Sequence, residues 1–452
     1  MTGEVRRPLS PMERWYWVCD QVSPLNVVAR VRVAGAYPEE DLVRAGASLA
    51  REHPLLRVAI AAGPDGADPC FVPARQAGIP VRTVRADPAD GRRWEREVDD
   101  VELATPVDWR SGPLARIVDV GHAVGTDQEH HDLVLTASHV IADGTTALEL
   151  LRRLVELTAG GAPRPRRPLP APEALLPRRV AGLPRAAHLV AAVLADGAVT
   201  AVARPRRLTP QTPVPVDRRR SRLLRRELTA DQLDALVSRC SREGVTVHTA
   251  LAAAMAAGVA EVASPGWTGR ICVGSPVDFR TELHPPVTRE DAGAYVATVP
   301  SYVRVGPSVD LWTAARGASR DLRRRRRWRQ HLALVSLLRR MSPPSVARSA
   351  RAVAVVDRMG PGNVCLSNLG RVDLPDRVGG WGLSGAQFVA GISVSGQVVA
   401  AVNTSHGKLH WNFTYIDGAV SPERAGQIAD AAVRALLSGL HDATPAGTAT
   451  KG

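Results

Sequence analysis

The sequence contains few cysteines, and none of them form a pair at a redox or metal-ligating spacing. The five cysteines of the 452-residue chain lie far apart, at Cys19, Cys70, Cys240, Cys272 and Cys365. This pattern excludes a disulfide scaffold and a cysteine-based zinc site. It predicts reduced thiols in a cytoplasmic protein.

Aromatic residues and lysine are also scarce. Aromatic residues make up 4% of the chain, and Lys408 and Lys451 are the only lysines, so the net charge of +13 comes almost entirely from arginine. Nucleic-acid-binding proteins usually combine basic residues with aromatic ones, and no RNA- or DNA-binding motif occurs here. We therefore expect no nucleic-acid partner. An acidic protein, an anionic ligand and a general compositional bias are all compatible with the charge.

No apolar run is long enough to cross a membrane. The most apolar stretch, residues 188–203, is shorter than a membrane span and includes Asp196. The first 18 residues lack the apolar core of a signal peptide. The sequence therefore predicts a cytoplasmic protein without a membrane span.

The motifs of several enzyme classes are missing. The sequence has no Walker A motif, no GxSxG nucleophile motif and no HExxH zinc motif. A GxGxxG pattern at Gly380, Gly382 and Gly385 precedes a strand-like run rather than a helix, so it does not predict a dinucleotide site. The pair His130-His131 lacks a carboxylate at metal-ligand spacing, and we expect these to be surface histidines. We expect no metal and no cofactor.

Composition divides the chain into three parts. Residues 161–220 are rich in proline and arginine and enclose an apolar segment, which predicts a linker with a bridging helix. Residues 1–160 and 221–452 each mix predicted strands and helices in a similar order. The predicted fold class is α+β, with one two-layer α/β domain in each half.

The segment LVLTASHVIADG, residues 133–144, combines a strand end, a histidine and a helix start. His139 follows an apolar strand, and Asp143 and Gly144 precede a predicted helix over 144–158. A neutral imidazole at such a boundary is held rigidly and can accept a proton near neutral pH. Asp143 fits a helix N-cap, and Gly144 permits a tight turn or a close backbone approach. A buried histidine beside an ordinary helix cap explains the same residues equally well.

This segment and four others together resemble a known family. Residues 139–144 resemble the HxxxDG part of the HHxxxDG motif of the chloramphenicol-acetyltransferase-like superfamily, which includes nonribosomal peptide condensation domains. Ser138 replaces the first histidine of that motif. CLSNLG resembles the SNLG motif of the polyketide-associated acyltransferase branch, typified by phthiocerol dimycocerosyl transferase. The segments that resemble family motifs besides HxxxDG are residues 8–15, 51–57, 276–287 and 365–370.

The resemblance implies an architecture. It implies two chloramphenicol-acetyltransferase-like domains arranged in a V, with an active-site tunnel between them and His139 midway along it. It also implies that segments of the second half cross onto the first, and residues 276–290 and 365–390 are the expected crossovers.

The resemblance also implies roles for individual residues. His139 is the expected catalytic base, and Asp143 is an expected structural residue that pairs with Arg280. The Gly144 N–H is an expected oxyanion donor. Further contacts to the oxyanion or substrate are expected from Ser138, Ser367 and Asn368.

The implied reaction is transfer of an acyl group from a thioester to a hydroxyl group of a small molecule, in natural-product or lipid biosynthesis. The donor is either an acyl carrier protein or coenzyme A. No serine or cysteine stands in a nucleophile motif, which favours direct transfer. Ser138 and the lack of a DFGWG motif favour a freestanding, monomeric O-acyltransferase over a peptide-elongating domain. An amide-forming condensation enzyme and a non-catalytic recruitment module remain alternatives.

A run of arginines, RRRRRWR at residues 323–329, is the densest charge in the chain. We expect this run and Arg339-Arg340 to share one helical segment. Five adjacent arginines cannot all face one side of a helix, so part of the run must be solvated. A solvated basic helix and a docking surface for an acidic acyl carrier protein both explain the run. Our hypothesis is the docking surface.

Overall fold

We obtained a computed structural model, which describes residues 4–87, 90–177 and 183–441 of the chain. The ends of the two predicted domains, residues 1–3 and 442–452, lie outside the described residues.

The elements of the first half alternate between strands and helices. In chain order they are β1 (Arg7–Pro8), α1 (Pro11–Val22), β2 (Asn26–Ala34), α2 (Glu39–Glu52), β3 (Val58–Ala61), β4 (Cys70–Pro73), β5 (Val81–Arg85), α3 (Arg93–Glu97), β6 (Ala115–His122), β7 (His130–Ser138) and α4 (Gly144–Thr158). The predicted helix over 144–158 is confirmed at both ends.

The second half follows the bridging helix α5 (Leu183–Ala203). Its elements are β8 (Ser221–Leu228), α6 (Ala230–Arg242), α7 (Val247–Ala263), β9 (Gly269–Asp278), β10 (Val296–Val305), α8 (Leu311–Arg327), α9 (Gln330–Met341), α10 (Ala350–Met359), β11 (Val364–Arg371), β12 (Arg377–Val378), β13 (Trp381–Ala390), β14 (Val398–Ser405), β15 (Lys408–Ile416) and α11 (Pro422–His441).

Two mixed six-stranded sheets and a small three-stranded sheet form the framework. The first large sheet has the order β12-β13-β2-β7-β6-β5, and the second has the order β10-β9-β11-β14-β15-β8. Helix α4 packs on β2, β7 and β13, and α7 packs between the second sheet and α11. The predicted α+β class, with helices layered on sheets, is confirmed.

Strand β13 comes from the second half of the chain but lies in the first sheet. One edge of β13 pairs antiparallel with β2. At its other edge, side chains of the second sheet bond its carbonyl oxygens: Asn403 donates to Ala386 at 2.8 Å, and Asn412 donates to Phe388 at 2.8 Å. Both asparagines are fully buried. Buried backbone groups need such partners, so these bonds join the two sheets behind the His139 loop.

Local capping signals explain where several helices begin. Thr229 and Gln232 form a capping box at the start of α6. Ser10 and Glu13 form the same motif at the start of α1.

The expectation that His130 and His131 are surface histidines is wrong for His131. Strand β7 already begins at His130, and it places His131 inside the fold, where its ring bonds Asp119 at 2.9 Å and Glu129 at 3.0 Å. A buried histidine is tolerated there because both ring nitrogens have a carboxylate partner.

The expectation of one helical segment over residues 323–340 is also wrong. Helix α8 ends at Arg327, and Arg329 adopts a left-handed backbone conformation with φ 49° before α9 begins. A left-handed residue interrupts the hydrogen-bond ladder of a helix, so the arginine run and Arg339-Arg340 lie on two different helices.

The GxGxxG pattern ends inside a strand. Gly382 and Gly385 lie within β13, and Gly385 sits at a bulge with φ 62°, so the GxGxxG pattern does not open a helix.

Among the described residues no single helix is long and apolar enough to cross a membrane. Helices α6 and α7 reach that length and composition only as a pair bent by 104°.

Candidate active site

His139 lies in the loop between β7 and α4. The backbone N–H of Ser138 donates to Leu114 at 3.0 Å, and the N–H of His139 donates to Leu25 at 3.2 Å. The loop is therefore fixed from both sides, and His139 as a whole residue is half-buried. A rigidly held, accessible side chain is what a catalytic base requires.

The surroundings of His139 favour a neutral imidazole. Burial lowers the pKa of His139 below the ordinary value of a histidine, although the negative charge of Asp143 partly opposes this shift. Its Nδ1 atom is buried, and the backbone groups of His139 and Ala142 near the ring also partly oppose the lowering of its pKa. The ring of Tyr16 lies flat against the His139 ring, at 4.2 Å between centroids and 8° between planes. A neutral ring can accept a proton near neutral pH.

Asp143 caps helix α4, as the sequence predicts. Its Oδ1 atom accepts from the Thr146 N–H at 2.9 Å and from Arg280 at 2.9 Å, and its Oδ2 atom accepts from the Tyr295 N–H at 2.9 Å. Burial alone would raise the pKa of the Asp143 carboxyl, but the Arg280 charge and these donors hold the pKa below its usual range. Asp143 is therefore an ionised, fully bonded carboxylate.

Arg280 reaches Asp143 from the second half of the chain. Its side chain is 2% exposed and also donates to Asp278 at 3.0 Å and to the Thr146 hydroxyl at 2.9 Å. The guanidinium stacks on Tyr295, with its carbon 4.7 Å from the ring centroid. The structure thus brings Asp143 and Arg280 together as a buried ion pair that links the two halves beside His139.

Gly144 is a glycine because of close packing and not because of its turn conformation. A Cβ atom built at this position lies 2.7 Å from Cε2 of Phe388 and 3.1 Å from Cδ1 of Leu369. Phe388 belongs to β13 and is buried. A glycine therefore lets the start of α4 approach the crossing strand.

Substituting Gly144 should destabilise the protein through this contact. We expect Gly144→Ala to lower the free energy of unfolding by about 1–3 kcal/mol, the usual cost of overpacking. Denaturant unfolding measures this loss. The double variant Gly144→Ala with Phe388→Leu should regain part of the lost stability, since the two positions are in contact. Gly426→Ala is the matched control, because a Cβ atom there meets nothing within 4 Å. Equal stability of Gly144→Ala and the wild type would contradict the packing explanation.

Ser367 and Asn368 lie on opposite faces of β11, because successive side chains of a strand alternate. Ser367 is in register with Ala401, which belongs to the core of the first half, whereas Asn368 is in register with Val402, which belongs to the core of the second. Leu369, two residues beyond Ser367, contacts the position of Gly144. This alternation favours Ser367 over Asn368 as a residue that faces the His139 loop.

The side chains of Asn368 and Ser138 have local backbone partners. Asn368 accepts a bond from the Gly370 N–H at 2.8 Å, which is an ordinary Asx turn. The hydroxyl of Ser138 accepts from the Val140 N–H at 3.4 Å, and Ser138 is 3% exposed. Two of the three side chains expected to contact the oxyanion or substrate thus bond their own local backbone.

Sequence reasoning missed Tyr16. It directly follows the segment that resembles the family's N-terminal motif, and the sequence does not show which of the neighbouring aromatic residues meets His139. Among the described residues, no group of three or more histidine, cysteine, aspartate or glutamate side chains could hold a metal ion.

Comparison with known proteins supports the resemblance seen in the sequence. Residues 217–410 match the family described as "Phthiocerol/phthiodiolone dimycocerosyl transferase C-terminus". A sequence comparison with curated proteins gives no match.

Solved structures share the whole fold. The TRI3 trichothecene 15-O-acetyltransferase from Fusarium sporotrichioides is 13% identical, with a TM-score of 0.71, and the alignment covers 96% of this chain and 95% of that one. Polyketide synthase associated protein 5 from Mycobacterium tuberculosis is 19% identical, with a TM-score of 0.65, covering 97% and 99%. The EpoB cyclization-docking bidomain of a nonribosomal peptide synthetase from Sorangium cellulosum is 16% identical, with a TM-score of 0.67, covering 97% and 86%.

These matches confirm the fold and the resemblance. The chain has the two-part fold that condensation domains and chloramphenicol-acetyltransferase-like acyltransferases share. At identities below 20% the solved structures speak for the fold alone, so the chemistry has to be argued from the residues of this chain.

Proposed function

We propose that the protein is an acyltransferase that moves an acyl group from a thioester to a hydroxyl group of a small molecule, forming an ester. The observation that carries the proposal is His139, a rigidly held imidazole at the end of β7 whose lowered pKa keeps it neutral. A hydroxyl acceptor is supported by a structural neighbour that is an O-acetyltransferase.

The reaction needs one base and no covalent intermediate on the protein. His139 accepts the proton of the acceptor hydroxyl while its oxygen attacks the thioester carbonyl carbon. The resulting tetrahedral intermediate collapses, the carbon–sulfur bond breaks, and His139 passes its proton to the departing sulfur, which leaves as the free thiol and restores the neutral imidazole. The oxyanion of the intermediate takes hydrogen bonds from the Gly144 N–H, at the positive end of α4, and from the Ser367 hydroxyl.

The Asp143–Arg280 pair supports this reaction without touching the substrate. Both groups are buried and bonded to each other, so their role is to hold the start of α4 and the loop that carries His139. The charge of Asp143 also keeps the pKa of His139 from falling further. Asp143 and Arg280 are therefore positioning residues.

Matched acceptors test the proposal against its closest alternative. The same acyl thioesters are offered with an alcohol and with the amine of the same carbon skeleton, and products are identified by mass spectrometry. The proposal expects ester from the alcohol at a rate well above amide from the amine. Amide alone would establish a condensation enzyme, and binding of the thioester without any turnover would establish a recruitment module.

The distribution of charge favours a carrier protein as the donor. Residues 311–351 contain twelve arginines and one carboxylate, Asp321, so this segment accounts for nearly all of the net charge of +13. We name seven exposed arginines at the ends of α8 and α9 and in the turn between these helices the arginine surface: Arg323, Arg324, Arg326, Arg327, Arg329, Arg339 and Arg340.

One arginine of the run has a structural role instead. Arg325 is 2% exposed, bonds Gln330 at 2.9 Å and lies over the ring of Tyr302, with its guanidinium carbon 5.2 Å from the centroid. It fastens the end of α8, while its neighbours point to solvent. Acyl carrier proteins are acidic, so the arginine surface fits them by charge.

Neutralising the arginine surface should slow transfer from a carrier protein selectively. We expect Arg323, Arg326 and Arg327, changed together to serine, to lower kcat/KM for a carrier-bound acyl group about tenfold or more at low ionic strength. The same acyl group on coenzyme A should be much less affected, and the difference should shrink as salt screens the charges. Steady-state assays with both donors measure this.

The matched control removes the same charge elsewhere. Arg75, Arg218 and Arg242 are exposed and lie outside the arginine surface, so their triple serine variant should keep wild-type kcat/KM with both donors. Equal loss in the two triple variants, or no selective loss with the carrier-bound donor, would contradict docking at this surface.

A further inference from the structure

Helix α1 places a flat aromatic ring against His139. The rings of Tyr16 and His139 are nearly parallel, at 8°, with centroids 4.2 Å apart. The Tyr16 hydroxyl donates to the carbonyl oxygen of Val296 in β10 at 3.4 Å. Tyr16 therefore covers one face of the imidazole and is itself fixed at its far end.

The same helix also holds the backbone of His139. One turn after Tyr16, the Oδ1 atom of Asp20 accepts the Leu25 N–H at 2.8 Å, and the Leu25 carbonyl accepts the His139 N–H at 3.2 Å. Asp20 is 6% exposed, and burial raises the pKa of its carboxyl to about 6. The ring of His139 thus contacts α1 directly, and its backbone is linked to α1 through Leu25. Both contacts involve the same face of the helix, since residues four apart lie on the same side.

Helix α1 is a firm support for these contacts. Its first turn carries the capping box of Ser10 and Glu13, and Arg7 bonds the Glu13 carboxylate at 2.7 Å. The N–H of Met12 donates to Glu173 at 2.7 Å, which fastens the helix start to the linker. The segment that resembles the N-terminal family motif thus forms a platform beside the site.

We propose that Tyr16 is a positioning residue, whose stacked ring sets the orientation of the His139 imidazole. The Tyr16 ring lies flat on the imidazole and is itself held at its hydroxyl by Val296, so the contact restricts rotation of the His139 ring about its Cβ–Cγ bond. The inference rests on the proposed role of His139 as the base.

Tyr16 also limits the access of water to the imidazole. Tyr16 lies on the ring, and the charged group that acts on it is Asp143, to which Arg280 is bound. Burial is the largest influence on the pKa of His139 and lowers it, so removing the Tyr16 ring should let that pKa rise towards the ordinary value. A residue that only filled space far from His139 would not move this pKa.

The test is a pH titration of His139 by NMR in the full-length protein. Histidine ring signals are followed in the wild type, Tyr16→Ala, Tyr16→Phe and Trp15→Ala, and the His139 signal is identified by its loss in His139→Gln. We expect an upward shift of the His139 pKa in Tyr16→Ala and no shift in Tyr16→Phe, which keeps the ring. Trp15 is the matched control, because the next residue of a helix points about 100° away.

Kinetics give the second readout. Tyr16→Ala should lower kcat about 10- to 100-fold with a smaller change in KM, because a misplaced base slows the chemical step. If Tyr16→Ala does not fold, Tyr16→Leu keeps an apolar cover without the flat ring and should show the same loss of kcat. Wild-type kcat in Tyr16→Leu, or an unshifted His139 pKa in folded Tyr16→Ala, would overturn the proposal. The titration needs no substrate, so its result stands apart from whether the proposed reaction occurs.

Discussion

His139→Gln should keep the fold and lower kcat about 10²- to 10⁴-fold, which is the usual contribution of a positioned general base. Glutamine has a similar size but cannot accept a proton near neutral pH. The residue is half-buried and glutamine keeps a polar side chain there, so thermal denaturation should show little change. Steady-state assays of acyl transfer measure the loss.

The pH profile of the wild type should show the same residue. Protonated His139 cannot act as a base, so kcat/KM should fall on the acid side as pH passes through the pKa of His139. Because burial lowers that pKa, the fall should occur below the ordinary value of a histidine. The acid limb should be missing from the residual activity of His139→Gln.

His130→Gln is the matched control for this prediction. His130 lies at the other end of β7 and is half-buried, so the substitution perturbs the same strand without reaching the site. It should retain wild-type kcat. Near-wild-type turnover in His139→Gln would contradict the assignment of the base.

Arg280→Ala should lower the free energy of unfolding by about 3–5 kcal/mol, because it leaves the buried Asp143 carboxylate without its partner. Asp143→Ala should cost a similar amount, since it leaves the Arg280 charge uncompensated. The double variant should be more stable than the sum of the two losses implies. Urea unfolding at neutral pH measures all three.

The contribution of the Asp143–Arg280 pair to the free energy of unfolding decreases as the pH falls. The pKa of Asp143 is lowered in the folded state, so its contribution is fully present above the pKa of the unfolded carboxyl and is lost as pH falls through the folded value. Asp143→Asn should remove this acid-dependent part of the stability.

An exposed ion pair serves as the control. Arg434 and Glu261 are 2.8 Å apart, with side chains 62% and 59% exposed, so Arg434→Ala should change stability little. Unchanged stability of Asp143→Ala together with lost activity would contradict a structural role and make Asp143 a direct participant in the reaction.

Those parts of the site that depend on neighbouring residues could be predicted from the sequence. The end of an apolar strand, a histidine and an Asp-Gly helix start follow one another within a few positions, and N-capping is a local interaction. The bounds of α4 and the cap at Asp143 were therefore predictable. The pairing of Asp143 with Arg280, 137 residues away, came only from the family resemblance.

The errors and omissions arose where distant contacts decide the structure. His131 looks like a surface residue until β7 sets it between Asp119 and Glu129. The stack of Tyr16 on His139 and the close contact of Gly144 with Phe388 depend on how α1 and β13 lie against the first sheet. Neither hydrophobic periodicity nor residue spacing carries that information.

The measurement that tests the central claim most directly follows both products of the transfer at once. The protein is incubated with panels of acyl thioesters, on carrier protein and on coenzyme A, with and without alcohols, and ester is quantified by mass spectrometry beside the free thiol released. The account predicts ester and thiol in equal amounts, only when donor and alcohol are both present, and loss of both products in His139→Gln. Absence of ester with every donor and alcohol, or ester formation that persists in His139→Gln, would contradict it.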